Sequence, residues 1–415
     1  MAIPRQSVNL TSKEFKAICK SILSRNIFSG AEVEDFEIQF AKYIGVKHAL
    51  ALSSGRAAQY LALKSLNLDA QSEIIVPAYT FYIVPVIVKL LGLKPIFVDA
   101  QPDTYNLDPN EIVKKITSKT KCIIATHIAG QPCNLDKIIQ IAQENNLYVI
   151  EDCAEACGSE YRGKKVGSFG DISYFSFHVS KNMTCLGGGM LATNNDEIFK
   201  KIQKLANECN TVSRKSILKN LIYAFVLYLF TRPFIFTFSA YPVIILSHLF
   251  NSDWVDRMFK EDLSLSQKIS AKYVAKMVNL QAVVGIEQLH RLEEMNSQRI
   301  RNAMILHDTL KDCKNIGMQE VLPWVKNTYL YFYAQVPNRK KILKKLAFCG
   351  VDSKEDGLFI CPGLDTFKET GHNYPVAEQL VSSNIELPNF PSLKEKHIHR
   401  IARKIRKVLE EFNLL

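Results

Sequence analysis

No CxxC pair occurs anywhere in the chain, and its ten cysteines follow neither metal-ligand nor disulfide-framework spacing; Cys153 and Cys157 stand four apart. That excludes zinc modules and cystine-stapled secreted domains, and reduced thiols in the cytosol are the simple reading. The opening MAIPRQSVNL has no apolar stretch of the signal-peptide kind. Internal repeats and low-complexity linkers are missing too. The net charge of +11 comes with no zinc-finger spacing, RNP-like aromatic strand or basic repeat. Without those, the charge favours anionic lipid or phosphorylated metabolites over nucleic acid. One stretch lacks charge itself: from 220 to 253 only Arg232 interrupts an apolar run before Asp253.

What is present is a chain of 415 residues, 47% hydrophobic, long enough for a major domain and a smaller one. Residues 74 to 193 alternate strand and helix patterns. EIIVPAYT, KPIFVDA, TKCIIATHI and YVIEDCA read as strands. FYIVPVIVKLLG, LDPNEIVKKI and NLDKIIQIAQENN read as helices, with Asp108 as a cap and Pro85 confined to an early turn or kink. Strands that are near-continuous apolar runs predict helices on both sheet faces, hence an α/β domain with a central, mostly parallel sheet. Towards the C-terminus, NTYLYFYAQV reads as a strand, KKILKKLAFCG as a helix ended by Gly350, and EKHIHRIARKIRKVLEEF as an amphipathic closing helix. A smaller α+β domain is expected there. The expected organisation is a large domain from 1–209 and 270–295, an apolar insert at 210–269, and a small domain at 296–415.

Ligands of such sheets bind beyond the carboxyl ends of the strands, and three signals sit there. Ser53-Ser54-Gly55 opens a helix, whose free N–H groups and dipole suit a phosphate. Read alone it is an ordinary cap. Asp152 follows an apolar strand, where a carboxylate can hold a cation, a metal or a protonated ring nitrogen; read alone it is a surface acid or a cap. Lys181, 29 residues on, lies between an alternating aromatic strand and three glycines; read alone it is half of a salt bridge. Together they offer a phosphate cradle, an acid for a pyridine nitrogen and an amine that can condense with an aldehyde. Those are the three handles of pyridoxal 5'-phosphate.

With those residues in place, the chain resembles the DegT/DnrJ/EryC1/StrS family of pyridoxal-phosphate aminotransferases, which mostly aminate keto groups on nucleotide-linked sugars. The resemblance is carried by SSGRAAQYLAL, by IIVPAYTFYIVPVIVKLLGLKPIFVDAQPDTYNLDP, and above all by the stretch from HIAGQPCNLDK to CLGGGMLAT. MVNLQAVVGIEQLHRLEE and YPVAEQLVSSNIELPNFPSL extend it over most of the chain outside 210–270. The resemblance implies the fold of type I pyridoxal-phosphate enzymes and a homodimer. It implies Lys181 as the lysine that binds the cofactor and Asp152 as the acid on its ring nitrogen. Ser176, Gly55, Arg56 and Ala57 fall at the phosphate, and Phe81 on the ring face. Because the family's sugar dehydratases carry histidine at the position of Lys181, amination is implied over deoxygenation. No metal is implied.

Three departures stand out. Glu155 occupies a position that is usually Gln or His, beside the cofactor's ring oxygen. A carboxylate facing a phenolate repels it unless the two share a proton. Val274 replaces the asparagine that reaches a neighbouring subunit's phosphate, with Lys276 in place of the family's arginine. Arg56 replaces the usual threonine and is expected to recover the phosphate affinity lost at Val274.

The insert is expected to dip into a membrane as a re-entrant or interfacial hairpin, since both of its flanks belong to one domain and the chain must return to its starting side. Basic residues flank it: Arg214, Lys215 and Lys219 before, Arg257 and Lys260 after. Packing against the protein or a partner subunit is the alternative. The expected function is transfer of an amino group from glutamate to a keto group on a nucleotide- or lipid-linked sugar for cell-surface polysaccharide. The expected location is the cytoplasm, at the cytoplasmic face of the inner membrane through the insert. The rival readings are amination of a non-sugar ketone, and an idle, membrane-associated scaffold of the same family.

Overall fold

The structure, a computed structural model, describes residues 1–250, 274–370 and 373–414. Asp253, Arg257 and Lys260 of the insert's far flank lie outside the described residues.

Apolar strands pair into a nine-stranded sheet among the described residues. In spatial order they are Asn210–Thr211, Ala275–Lys276, His48–Leu52, Gly189–Thr193, Ile172–Ser176, Tyr148–Asp152, Thr120–Thr126, Glu73–Pro77 and Lys94–Val98. The five from Ile172–Ser176 to Lys94–Val98 run parallel, and Gly189–Thr193 is antiparallel to both of its neighbours. Strands such as Glu73–Pro77 and Gly189–Thr193 are buried at every residue. That follows from helices covering both faces, one over the cluster around Leu61, Ile87 and Ile202 and one over that around Phe40, Ile138 and Met295.

Caps set the helix starts as the side chains dictate. Asp108 accepts from the N–H of Asn110 at the head of Pro109–Lys115, and Asn195 accepts from Glu197 and Ile198 at the head of Asp196–Asn207. Pro85 is the third residue of helix Ile83–Leu90, within its first turn, where a missing N–H costs no intrahelical bond.

The C-terminal part packs the helices Arg339–Phe348 and Glu395–Glu411 on a four-stranded antiparallel sheet of Gly317–Met318, Phe332–Gln335, Asn384–Leu387 and Lys354–Glu355. Helix Leu292–Leu310 joins the two cores: Met295 packs in the first, Leu306 and Leu310 in the second. A strand pair, Phe359–Ile360 against Tyr79–Thr80, ties the C-terminal part to the large sheet's ligand edge.

The insert leaves and re-enters at one place, because Asn210–Thr211 lies beside Ala275–Lys276 in parallel. Within it stand helices Arg214–Phe230, Pro233–Phe238 and Ala240–Leu249. Their composition is apolar on every side, but their burial is one-sided. Ile217, Ala224, Phe236 and Ile244 pack inward, against partners that include Val8, Val179, Val284 and Ala2. Phe225, Phe234, Phe238 and Phe250 are at least half exposed. No helix among the described residues is long and apolar enough to cross a membrane.

Candidate active site

The parallel strands decide where the candidate residues meet. Asp152 ends one strand and Ser176 the next, Lys181 follows five residues later, and Phe81 lies just past Glu73–Pro77. All emerge at the same edge. Strand His48–Leu52 points the same way, being antiparallel to a strand that is itself antiparallel to Ile172–Ser176. It therefore delivers Gly55 there as well.

Ser54 caps helix Gly55–Ser65, its Oγ accepting from the N–H of Ala57 at 3.1 Å. A methyl group on Gly55 would stand 2.8 Å from the Cβ of Ser176, so only glycine lets the strand end approach the helix start. Gly189 is tighter still: a Cβ there would meet the Gly55 nitrogen at 2.5 Å. The Ser176 hydroxyl and the positive end of the helix thus face one small space, the donor set that a phosphate ester requires. Arg56 is exposed on the first turn.

Lys181 sits at the tip of the loop between Ile172–Ser176 and Gly189–Thr193. The Phe177 carbonyl accepts from the N–H groups of Cys185 and Gly187 and so closes the loop; Gly187 and Gly188 adopt φ of 101° and 118°. The Lys181 ammonium donates to Glu155 Oε1 at 3.2 Å and lies 5.8 Å from the centre of the Tyr331 ring. Burial works against its charge, but Tyr331, Glu155 and Asp152 outweigh that and raise its pKa above the ordinary lysine range. Glu155 Oε2 is held by the N–H of Ala129 at 2.9 Å.

The Asp152 carboxylate is 4% exposed and accepts from the N–H of Ala154 at 3.0 Å. Burial pushes it up from the usual carboxylate range, and Glu155 adds to this against the Ala154 amide and Lys181. A buried acid short of a cation is what a protonated ring nitrogen completes. Phe81 is half-buried, 4.7 Å from the Tyr82 ring and 6.4 Å from Phe359. Carboxylate, lysine, phosphate cradle and ring thus fit pyridoxal phosphate.

Two of the singled-out positions have partners within the chain. Val274 is buried in the first core cluster, and Lys276 donates to Asn207 at 2.9 Å. Conversely, the C-terminal part contributes side chains that the motifs do not reveal. Tyr331 stacks on Tyr333, and Lys354, 3.2 Å from Glu386, lies 5.9 Å from the Tyr331 ring centre. Tyr329, two residues before Tyr331, has a φ of 48° and packs in the C-terminal core instead, so the run of alternate tyrosines does not share one face.

His127, Glu151 and Cys153 also cluster in the core. Glu151 accepts from the N–H groups of Gly167, Phe169 and Gly170, each at 2.8 Å, and from His127 Nε2 at 3.3 Å; His127 Nδ1 accepts from the N–H of Cys133. The Glu151 oxygens are thus spent on holding the loop after Lys165 to the sheet, and both His127 nitrogens are engaged as well.

The model of the DegT/DnrJ/EryC1/StrS aminotransferase family matches residues 9–225 and 253–406, and its gap takes in the end of helix Arg214–Phe230 and the two helices that follow it. GDP-perosamine synthase of Escherichia coli O157:H7 is 28% identical over 407 residues, 97% of each chain. A dTDP-3-amino-3,6-dideoxy-alpha-D-galactopyranose transaminase of Aneurinibacillus thermoaerophilus is 41% identical over 179 residues, 43% of this chain and 49% of the relative. Among solved structures, an aminotransferase from Psychrobacter cryohalolentis superposes with a TM-score of 0.78 at 26% identity, covering 98% of each chain. The chain therefore belongs to the DegT/DnrJ/EryC1/StrS aminotransferase family and is a pyridoxal-phosphate-dependent aminotransferase.

Proposed function

We propose that the chain moves an amino group from glutamate to a keto group of a nucleotide- or lipid-linked sugar used for cell-surface polysaccharide, glutamate leaving as 2-oxoglutarate. The names of the relatives, which are sugar transaminases and a perosamine synthase, support the substrate class. The observation that carries the reading is the meeting of Lys181, Asp152 and the Gly55–Ser176 cradle at one sheet edge.

The bound cofactor supplies an aldehyde for the amine and a ring that accepts electrons from the reacting carbon. The protein's own residues do the rest. Lys181 is the amine that would hold the cofactor's aldehyde and would move the proton at the substrate carbon. Asp152 would keep the ring nitrogen protonated, Glu155 would orient the lysine, and Phe81 would cover the ring. Gly55, Arg56, Ala57 and Ser176 would hold the phosphate. Borohydride reduction of protein saturated with the cofactor should fix it covalently to Lys181. Labelling elsewhere, or none, ends the reading.

A homodimer is part of the proposal, and so is contact with a membrane surface. The insert exposes Leu218, Ile222, Phe225, Phe234, Phe238 and Leu246 over its successive helices, beside the exposed Arg214, Lys215 and Lys219. Apolar surface of this extent marks an interaction face, and its basic margin matches an anionic lipid layer. The helices lie on that surface, their inner sides remaining packed on the enzyme.

A further inference from the structure

Arg299 carries a charge that no carboxylate among the described residues neutralises. It sits on helix Leu292–Leu310 and is 5% exposed; its Nη1 donates to Asn296 Oδ1 at 3.2 Å, and its Nε has no partner. Partly buried cations by contrast meet carboxylates: Arg5 meets Asp352 at 2.7 Å, Arg291 Glu14 at 2.6 Å, and Lys354 Glu386 at 3.2 Å. Burial pulls the Arg299 guanidinium down to about 10, with the Tyr331 and Cys157 groups opposing, so it stays cationic at neutral pH. An unpaired buried charge is costly to keep. It is sustained where a ligand completes it.

Arg299 lines a cleft together with Lys181, Asn182, Tyr331, Glu386 and Asn389. Asn182 and Asn389, which line it, each carry a buried, unpartnered Oδ1. The cleft thus joins a donor lacking an anion to acceptors lacking N–H groups, next to the lysine at which amines are exchanged. An amino acid carries both complements, a carboxylate and an ammonium.

We propose that Arg299 binds a carboxylate of the amino-group donor, which makes the donor an amino acid and the guanidinium the element that selects it. The inference rests on the reading of Lys181 as the exchange site. The phosphate of a nucleotide-linked acceptor offers similar chemistry, so the test separates the two.

Calorimetry on the holoenzyme would use glutarate, which has both carboxylates of glutamate and no amine to transfer, and GDP as the diphosphate probe. Wild-type protein should bind glutarate. Arg299→Gln should weaken that binding about tenfold or more, Arg299→Lys less, with GDP affinity unchanged in both. Borohydride labelling of Lys181 should be undiminished. Equal glutarate affinity in wild type and Arg299→Gln overturns the proposal, as does wild-type protein that ignores glutarate. A loss confined to GDP reassigns the guanidinium to the acceptor's phosphate. Should Arg299→Gln not fold, Arg299→Lys decides by the same comparison, unchanged glutarate affinity overturning the proposal. Failed labelling of the wild type would sink the reading of Lys181 instead, a result distinct from any of these.

Discussion

The Lys181 ammonium and the Glu155 carboxylate form an ion pair of 3.2 Å, with the second oxygen of Glu155 fixed by the amide of Ala129. One residue thus combines two effects: it keeps the lysine charged and fixes where its nitrogen points. The family's usual neutral side chain at this position would do only the second.

Glu155→Gln therefore tests charge against position. Burial lowers the pKa of Lys181, and Glu155 is one of the groups that reverse this. Removing its charge should move the pH titration of the holoenzyme's cofactor absorbance to lower pH by roughly one to three units. Superimposable titrations of wild type and variant would show that Glu155 is neutral, or remote from the cofactor, in the working enzyme.

Gly189→Ala probes the cradle. The added methyl would stand 2.5 Å from the Gly55 nitrogen and from the Ser54 carbonyl carbon, both backbone atoms that cannot swing aside. Unfolding in urea should reveal a loss of about 1–3 kcal/mol, with faster cofactor release. Gly357→Ala, whose Cβ would meet nothing within 4 Å, is the control. Equal effects at the two sites would remove the steric argument.

Asp356 gives stability an unusual pH dependence. Its carboxyl, buried beneath the Tyr79 hydroxyl and the Asn384 amide, is pushed up to about 7 from 3.8, burial being the main cause. Between these values the folded chain holds a proton that the unfolded chain has released, so stability falls as pH rises through the window and levels off above it. Asp356→Asn should flatten this slope in thermal melts. Glu37, also raised to about 7, leaves a residual slope. Parallel curves for wild type and variant would exclude Asp356 as its source.

The exposed insert face should behave as a lipid-binding surface. Wild-type protein should sediment with anionic vesicles, less so at high salt, and Phe225→Asp with Phe238→Asp should abolish this while leaving the fold intact. Both side chains are at least half exposed, so the core does not depend on them. Sedimentation that survives the double substitution, or its absence in wild type, would assign the face to another occupant.

Much of the site was legible in the chain because its residue types are out of place in their patterns. Lys181 between an aromatic strand and glycines, and Asp152 after an apolar run, are charges where local burial disfavours them. Arg299, Tyr331 and Glu386 were not legible. Each lies in an ordinary helix or strand pattern more than a hundred residues from Lys181, and only packing turns it toward that lysine. The insert shows the same limit from the other side. Its composition is apolar all round, so no periodicity distinguishes the side covered by Val8, Val179 and Val284 from the side left open.

Residue order along the chain alone determined the reaction centre, since consecutive parallel strands must bring their carboxyl ends to one edge and each candidate follows such an end. Tertiary structure alone decided which charges are answered. Glu155 meets Lys181, and no carboxylate among the described residues meets Arg299, because pairing depends on the few ångströms that side-chain packing sets.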